Sequence, residues 1–228
     1  MSTSSLRLRK IGLISVFSAL GVVLAPFLWF PFLGTKAYPG QHMINSILGV
    51  LLGPLWAAAA ALIIGLVRNA LGIGTIYAFP GGIPGGLVVG AAHWLLRRMG
   101  GRRRLPLISA LFEPIGTVFI GATLSLFLVA PIIGDPRLLS QLEKGPMTAL
   151  IILWSGWALS SISGSILGFI ILITLDRMGI NRETLFKIPP QTTEKPSPRE
   201  DLDLQRGEAR EQPADYRNLI PLGVRREK

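Results

Sequence analysis

Cysteine is absent from the 228 residues, so disulfides, thiolate metal sites and cysteine nucleophiles are excluded. Charge is scarce: 16% of residues are charged, against roughly a quarter in soluble domains. Acidic residues are scarcer still inside residues 1–186, which hold five of the thirteen Asp and Glu, widely scattered. A small membrane enzyme working through a bound metal on a lipid or prenyl substrate needs clustered carboxylates, so an enzymatic reading fails. The two histidines, His42 and His93, have no second histidine or carboxylate at ligand spacing, and a lone histidine makes a poor metal site. Alternating ten-residue strands of an outer-membrane barrel are missing as well. The net charge of +10 comes with no RNA or DNA motif, and nucleic acid is not an expected partner.

Apolar sequence is plentiful. Half the residues are hydrophobic and the mean hydropathy is +0.50. Several runs approach the ~20 residues that cross a hydrocarbon layer, which predicts an all-α, polytopic membrane protein. Arg and Lys gather at residues 7–10, at Arg97–Arg104 and after Arg177. The positive-inside rule puts all three groups on the cytoplasmic side of the cell membrane, with both termini. An even number of crossings must then separate each pair. Breaking the span after His42 at Gly53-Pro54 supplies it, because the residue before a proline is disfavoured in the α region.

Six helices follow, at 11–32, 41–53, 54–71, 81–98, 106–131 and 147–175, with residues 1–10 as a basic arm. The second helix, about 20 Å long at 1.5 Å per residue, is too short to cross alone and needs a protected place. The Arg7, Arg9, Lys10 start followed by an apolar run resembles a signal peptide. The run exceeds a signal peptide's apolar region and lacks a clear cleavage site, so a retained helix is expected. Residues 187–228 hold nine basic and eight acidic residues among six prolines, the composition of a disordered polar tail.

Polar side chains in an apolar chain are costly and tend to line a cavity or pathway. Here they collect in two clusters, Lys36–Asn45 and Arg68–Pro80, at the ends of one apolar span. Gln41 and Asn45, four apart, share a helix face with His42 at its margin. They read either as the lining of a pocket for a small heteroaromatic solute or as mutual helix caps; the lining is preferred. Tyr38 precedes them in the loop. Lys36 meets an anionic or electron-rich ligand or snorkels into headgroups. Arg68 and Asn69 end the third helix at the same face, Thr75 lies in a Gly-rich turn, and Phe79 and Trp154 are candidate aromatic walls. Glu113, inside the fifth helix, is a functional candidate by its depth or a structural partner, for instance of His93. On the first helix, Ser15-x-x-x-Ala19 lets another helix approach closely.

The ordered run Lys36-Ala37, Pro39, Gln41-His42-Met43, Asn45, Gly49-Val50-Leu51-Leu52-Gly53-Pro54, Arg68-Asn69, Gly72, Gly74-Thr75 and Ala78-Phe79-Pro80-Gly81 resembles the ThiW family. Glu113, Gly116 and Thr117 fit the same pattern, and the resemblance spans about residues 6–180. It implies the substrate-binding S component of an energy-coupling factor transporter: a six-helix subunit without cofactor that captures a thiamine precursor, hydroxyethylthiazole, on the outer face. It further implies a transmembrane T subunit and two ATP-binding subunits as partners, with Ser15 and Ala19 at the T-subunit contact. The rival reading is a stand-alone secondary carrier coupled to protons through Glu113 and His42.

Overall fold

The computed structural model describes residues 3–32, 35–100 and 104–186. Helix α1 spans Thr3–Leu24, and a two-stranded antiparallel hairpin, β1 (Phe30–Phe32) with β2 (Thr35–Ala37), leads into α2 (Pro39–Leu52). Helices α3 (Pro54–Ala70) and α4 (Ala78–Arg98) follow. A continuous helix α5 runs over Leu105–Ile133. The short α6 (Pro136–Glu143), the 32-residue α7 (Pro146–Arg177) and the short α8 (Arg182–Phe186) complete the described chain. The polar tail expected over 187–228 lies outside the described residues.

Two expectations about the first helix are corrected. α1 ends at Leu24 rather than continuing to Phe32, and Pro26 and Pro31 lie beyond it in a turn and a hairpin strand. Proline removes a backbone donor and fixes φ, so two of them within six residues end the helix altogether. At its start α1 takes in Arg7, Arg9 and Lys10, which occupy its own first turns. The break at Gly53-Pro54 is as expected. Gly53 has φ of 95°, a backbone region L side chains rarely adopt, and Pro54 opens α3 at its first position, where its missing donor costs nothing.

Helix α2 is enclosed: every residue from Gly40 to Leu52 is buried. It packs against α7, α4, α3, α5 and α1. A helix of 14 residues would leave its ends unsatisfied in lipid, and here its neighbours surround it instead.

Contacts place the helix ends in two groups. At the hairpin end, Tyr38 donates to the Gly21 carbonyl, Arg68 stacks over Tyr38, and Tyr77 donates to Asp135. At the opposite, basic end, Arg9 reaches the Leu185 carbonyl, Arg97 pairs with Glu183, and Arg104 pairs with Asp176. Consecutive long helices therefore run antiparallel between the two ends.

The molecule is inverted relative to a soluble fold. Leu55, Leu66, Phe119, Phe127, Ile151 and Ile170 are exposed, while Asn45, Ser46, Glu113, Thr117 and Ser161 are almost completely buried. Among the described residues, α5 and α7 are long and apolar enough to cross a membrane, and α3 is apolar but shorter.

Candidate functional site

The buried polar residues converge on one carboxylate. Glu113 is wholly buried and sits where α5 changes geometry. Leu105–Phe112 is tight 3-10 helix, and from Ile115 the turns widen to π type. Pro114 supplies no backbone donor, so the regular ladder fails at this point, and widened turns of this kind are frequent at functional sites. Oε1 of Glu113 accepts from His42 Nδ1 at 2.8 Å and from Asn45 Nδ2 at 3.0 Å. Thr117 Oγ1 stands 2.7 Å from the same oxygen and 2.8 Å from the Gly81 carbonyl. Ser161 Oγ donates to Oε2. Asn45 also donates to the Gly82 carbonyl at 2.9 Å, and Gln41 Nε2 donates to Asn45 Oδ1 at 3.3 Å. Side chains of α2, α5 and α7 and carbonyls of α4 are thereby tied to one centre.

Gly85 makes the centre possible. A Cβ at this position would lie 2.2 Å from Glu113 Oε1 and 2.6 Å from Thr117 Oγ1. Only hydrogen leaves α4 close enough for its carbonyls to take part.

Of the alternatives for Glu113, a structural pairing with His93 is not the one formed. His93 instead faces the Pro106 carbonyl at 3.1 Å and Ser109 Oγ at 3.5 Å. His42 is the partner of Glu113, and it enters from α2, 71 positions earlier in the chain.

The other sequence-derived residues separate into three groups. Gln41, His42 and Asn45 belong to the Glu113 centre, as just described. Tyr38 and Arg68 form a second group. The Tyr38 ring is buried and its hydroxyl is held by the Gly21 carbonyl. The Arg68 guanidinium lies 4.1 Å from the ring centroid, a cation–π distance. Together with Ala25, Pro26, Trp29 and Ile73 they line a cleft of about 180 Å³.

The third group is structural or lies apart. Asn69 Nδ2 donates to the Gly65 and Thr75 carbonyls, closing the α3–α4 turn. Thr75 takes part through its backbone, and its side chain is exposed. Phe79 stands in the first turn of α4, packed over Gly65. Trp154 reaches away from both polar groups; its Nε1 donates to Thr123 Oγ1 at 3.1 Å and its ring meets Phe119 edge-on at 5.0 Å. The Lys36 side chain lies outside what the structure describes. Ser15 and Ala19 are exposed on α1. Ser161 escaped sequence reasoning, since a serine on an apolar helix carries no signal until its neighbours are known. Trp29, whose sequence context carries no site signal, stands at the cleft.

No cluster of three metal-ligating side chains occurs among the described residues. A family model described as thiamine-precursor transporter protein (ThiW) matches residues 11–178. No curated protein and no solved structure matches the chain.

Proposed function

The chain belongs to the ThiW family of thiamine-precursor transporter proteins, a transporter family whose apolar helices make this a membrane protein, and on that premise we propose that it is the substrate-capture subunit of an energy-coupling-factor importer. The polar groups gathered at the hairpin end support this reading. The Arg68 guanidinium stands there beside the Tyr38 and Trp29 rings at an open cleft, the equipment for holding a small heteroaromatic solute, hydroxyethylthiazole. In the proposed arrangement six helices, from α1 to α5 and α7, lie across the cell membrane. The hairpin end faces outward, and the basic end faces the cytoplasm in agreement with the positive-inside rule. ATP hydrolysis belongs to two partner subunits, and the chain supplies no covalent chemistry. The exposed Ser15 and Ala19 of α1 give a transmembrane partner a small-residue face for close approach.

Equilibrium binding of hydroxyethylthiazole, hydroxymethylpyrimidine and thiamine to the purified chain in detergent tests the substrate. Tight binding of hydroxyethylthiazole supports the reading. Failure of a folded protein to bind any of the three removes it.

One observation favours a second reading, a stand-alone proton-coupled carrier: His42 and Glu113 share a hydrogen bond of 2.8 Å in a wholly buried place, and buried histidine–carboxylate pairs serve as proton relays in carriers. Uptake into vesicles by the chain alone, abolished by an uncoupler, supports the carrier. Uptake only with an ATPase partner supports the importer.

A further inference from the structure

The two polar groups at the hairpin end differ in what they have left to give. In the Glu113 centre, His42, Asn45, Thr117 and Ser161 all point their donors at a carboxylate or a carbonyl. Asn45 is 1% exposed and Glu113 is 0% exposed. A ligand cannot reach those donors without dismantling the centre. Arg68 is the opposite case. Its Nε–H is buried and has no acceptor, although it borders the cleft lined by Ala25, Pro26, Trp29, Tyr38 and Ile73. A buried donor without an acceptor is costly, and the guanidinium that carries it borders the cleft. The Tyr38 ring beneath is fixed by its bond to Gly21, so the guanidinium is held against a rigid plate.

We propose that this cleft is the recognition site for the substrate, and that Arg68 is its specificity-determining residue. The inference rests on the transport reading above and narrows its substrate class. The site takes one heteroaromatic ring, neutral or anionic, bearing a hydroxyl or phosphate oxygen that accepts from the Arg68 guanidinium. Size sets the first limit. About 180 Å³ falls below the ~300–1,000 Å³ of sites for drug-sized ligands. One ring with a short substituent suits it better than two linked rings. Charge sets the second limit. Thiamine carries a permanent thiazolium cation, which Arg68 repels at close range, whereas the free thiazole is neutral at pH 7 and its phosphate is an anion. Both limits favour a single-ring precursor over the finished vitamin.

Calorimetry on the full chain in detergent tests this, with hydroxyethylthiazole, hydroxyethylthiazole phosphate and thiamine as probes against wild type, Arg68→Gln and Ile73→Trp. Arg68→Gln removes the charged donor. Ile73→Trp fills the cleft from a partly exposed position and disturbs no buried polar group, so it stands in if the arginine variant fails to fold. The expected result is binding of the thiazole or its phosphate, no thiamine binding, a loss of roughly ten- to a hundredfold in Arg68→Gln, and near-complete loss in Ile73→Trp. Stronger binding of the phosphate than of the alcohol, weakening with salt, identifies the anion as the preferred form; the reverse order identifies the alcohol. Thiamine binding as tight as the thiazole's overturns the proposal, as does thiazole binding that a folded Ile73→Trp leaves unchanged. Wild-type protein that binds no probe removes the transport reading itself, a different outcome from binding that ignores the cleft.

Discussion

The Glu113 centre and the Arg68 cleft lie at the same end of the bundle and use similar chemistry, yet the donors of one are taken up within it and the other keeps a donor without an acceptor. Around Glu113 the side chains of His42, Asn45 and Ser161 donate to one carboxylate, and the Thr117 hydroxyl lies between it and the Gly81 carbonyl. In a low-dielectric interior such a network, once fully satisfied, rigidifies and specifies the core. At Arg68 a donor is left without an acceptor beside open space. Burial and polarity alone therefore do not mark a binding site in this molecule. The useful distinction is whether the donors are already spent.

The sharpest way to break the comparison is to remove the carboxylate. Glu113→Ala leaves His42 Nδ1 and Ser161 Oγ without an acceptor, while Asn45 and Thr117 keep the Gly82 and Gly81 carbonyls. Each buried unsatisfied group costs about 1–3 kcal/mol, and partial rearrangement leaves a loss on the order of 4 kcal/mol. Thermal unfolding in detergent should show a large fall in midpoint or no folded protein. A variant as stable as wild type would show that Glu113 is spare for function, as the proton-coupled reading requires.

Gly85→Ala attacks the same centre through the backbone. The new methyl group meets Glu113 Oε1 at 2.2 Å, so α4 must withdraw and its carbonyls lose contact with Asn45 and Thr117. Overpacking of this kind costs about 1–3 kcal/mol. The stability loss should exceed that of alanine placed on an exposed helical position. Equal effects would mean that α4 can move without disturbing the centre.

How much of this was legible in the chain can be judged residue by residue. The α2–α3 break was readable because Gly53-Pro54 combines a positive-φ residue with a helix-starting proline, both local effects. The shared face of Gln41 and Asn45 was readable from helical spacing. The hairpin at Phe30–Ala37 was not. Its prolines fit a bent helix as well as a turn, and only the docking of Tyr38 against Gly21 decides between them. The Glu113–His42 contact joins residues 71 apart, and the turn that Glu113 occupies depends on the tight and wide stretches of α5, which no regular periodicity describes. Trp154 reads as a candidate wall from the sequence, but a long helix presents every side, and the partners on α5 fix which one this ring takes.

Trp154 provides a smaller test. Trp154→Phe removes the bond to Thr123 and keeps most of the contact with Phe119. The expected cost is about 1 kcal/mol of stability, with substrate affinity changed less than about twofold. A drop in affinity much larger than the stability loss would return Trp154 to the pocket.

The smallest effect is expected at the clasp between the α3–α4 and α5–α6 turns, where Tyr77 donates to Asp135 at 2.6 Å. The hydrogen bond from Tyr77 is the main reason the Asp135 carboxyl is held below its usual range; burial opposes it, and the backbone N–H groups of Arg137 and Leu138 and the Arg137 charge add to it. A carboxylate whose folded pKa is depressed adds stability above its unfolded pKa of about 3.9, and that contribution disappears as pH falls through the lower folded value. The group is largely exposed, so solvent screening limits the effect to a few tenths of a kcal/mol. Tyr77→Phe should therefore lower the unfolding midpoint slightly at pH 7, and the gap from wild type should narrow between pH 4 and pH 2. If the gap stays constant over that range, the phenol holds the turn through ring packing, and the carboxylate plays no part in the clasp.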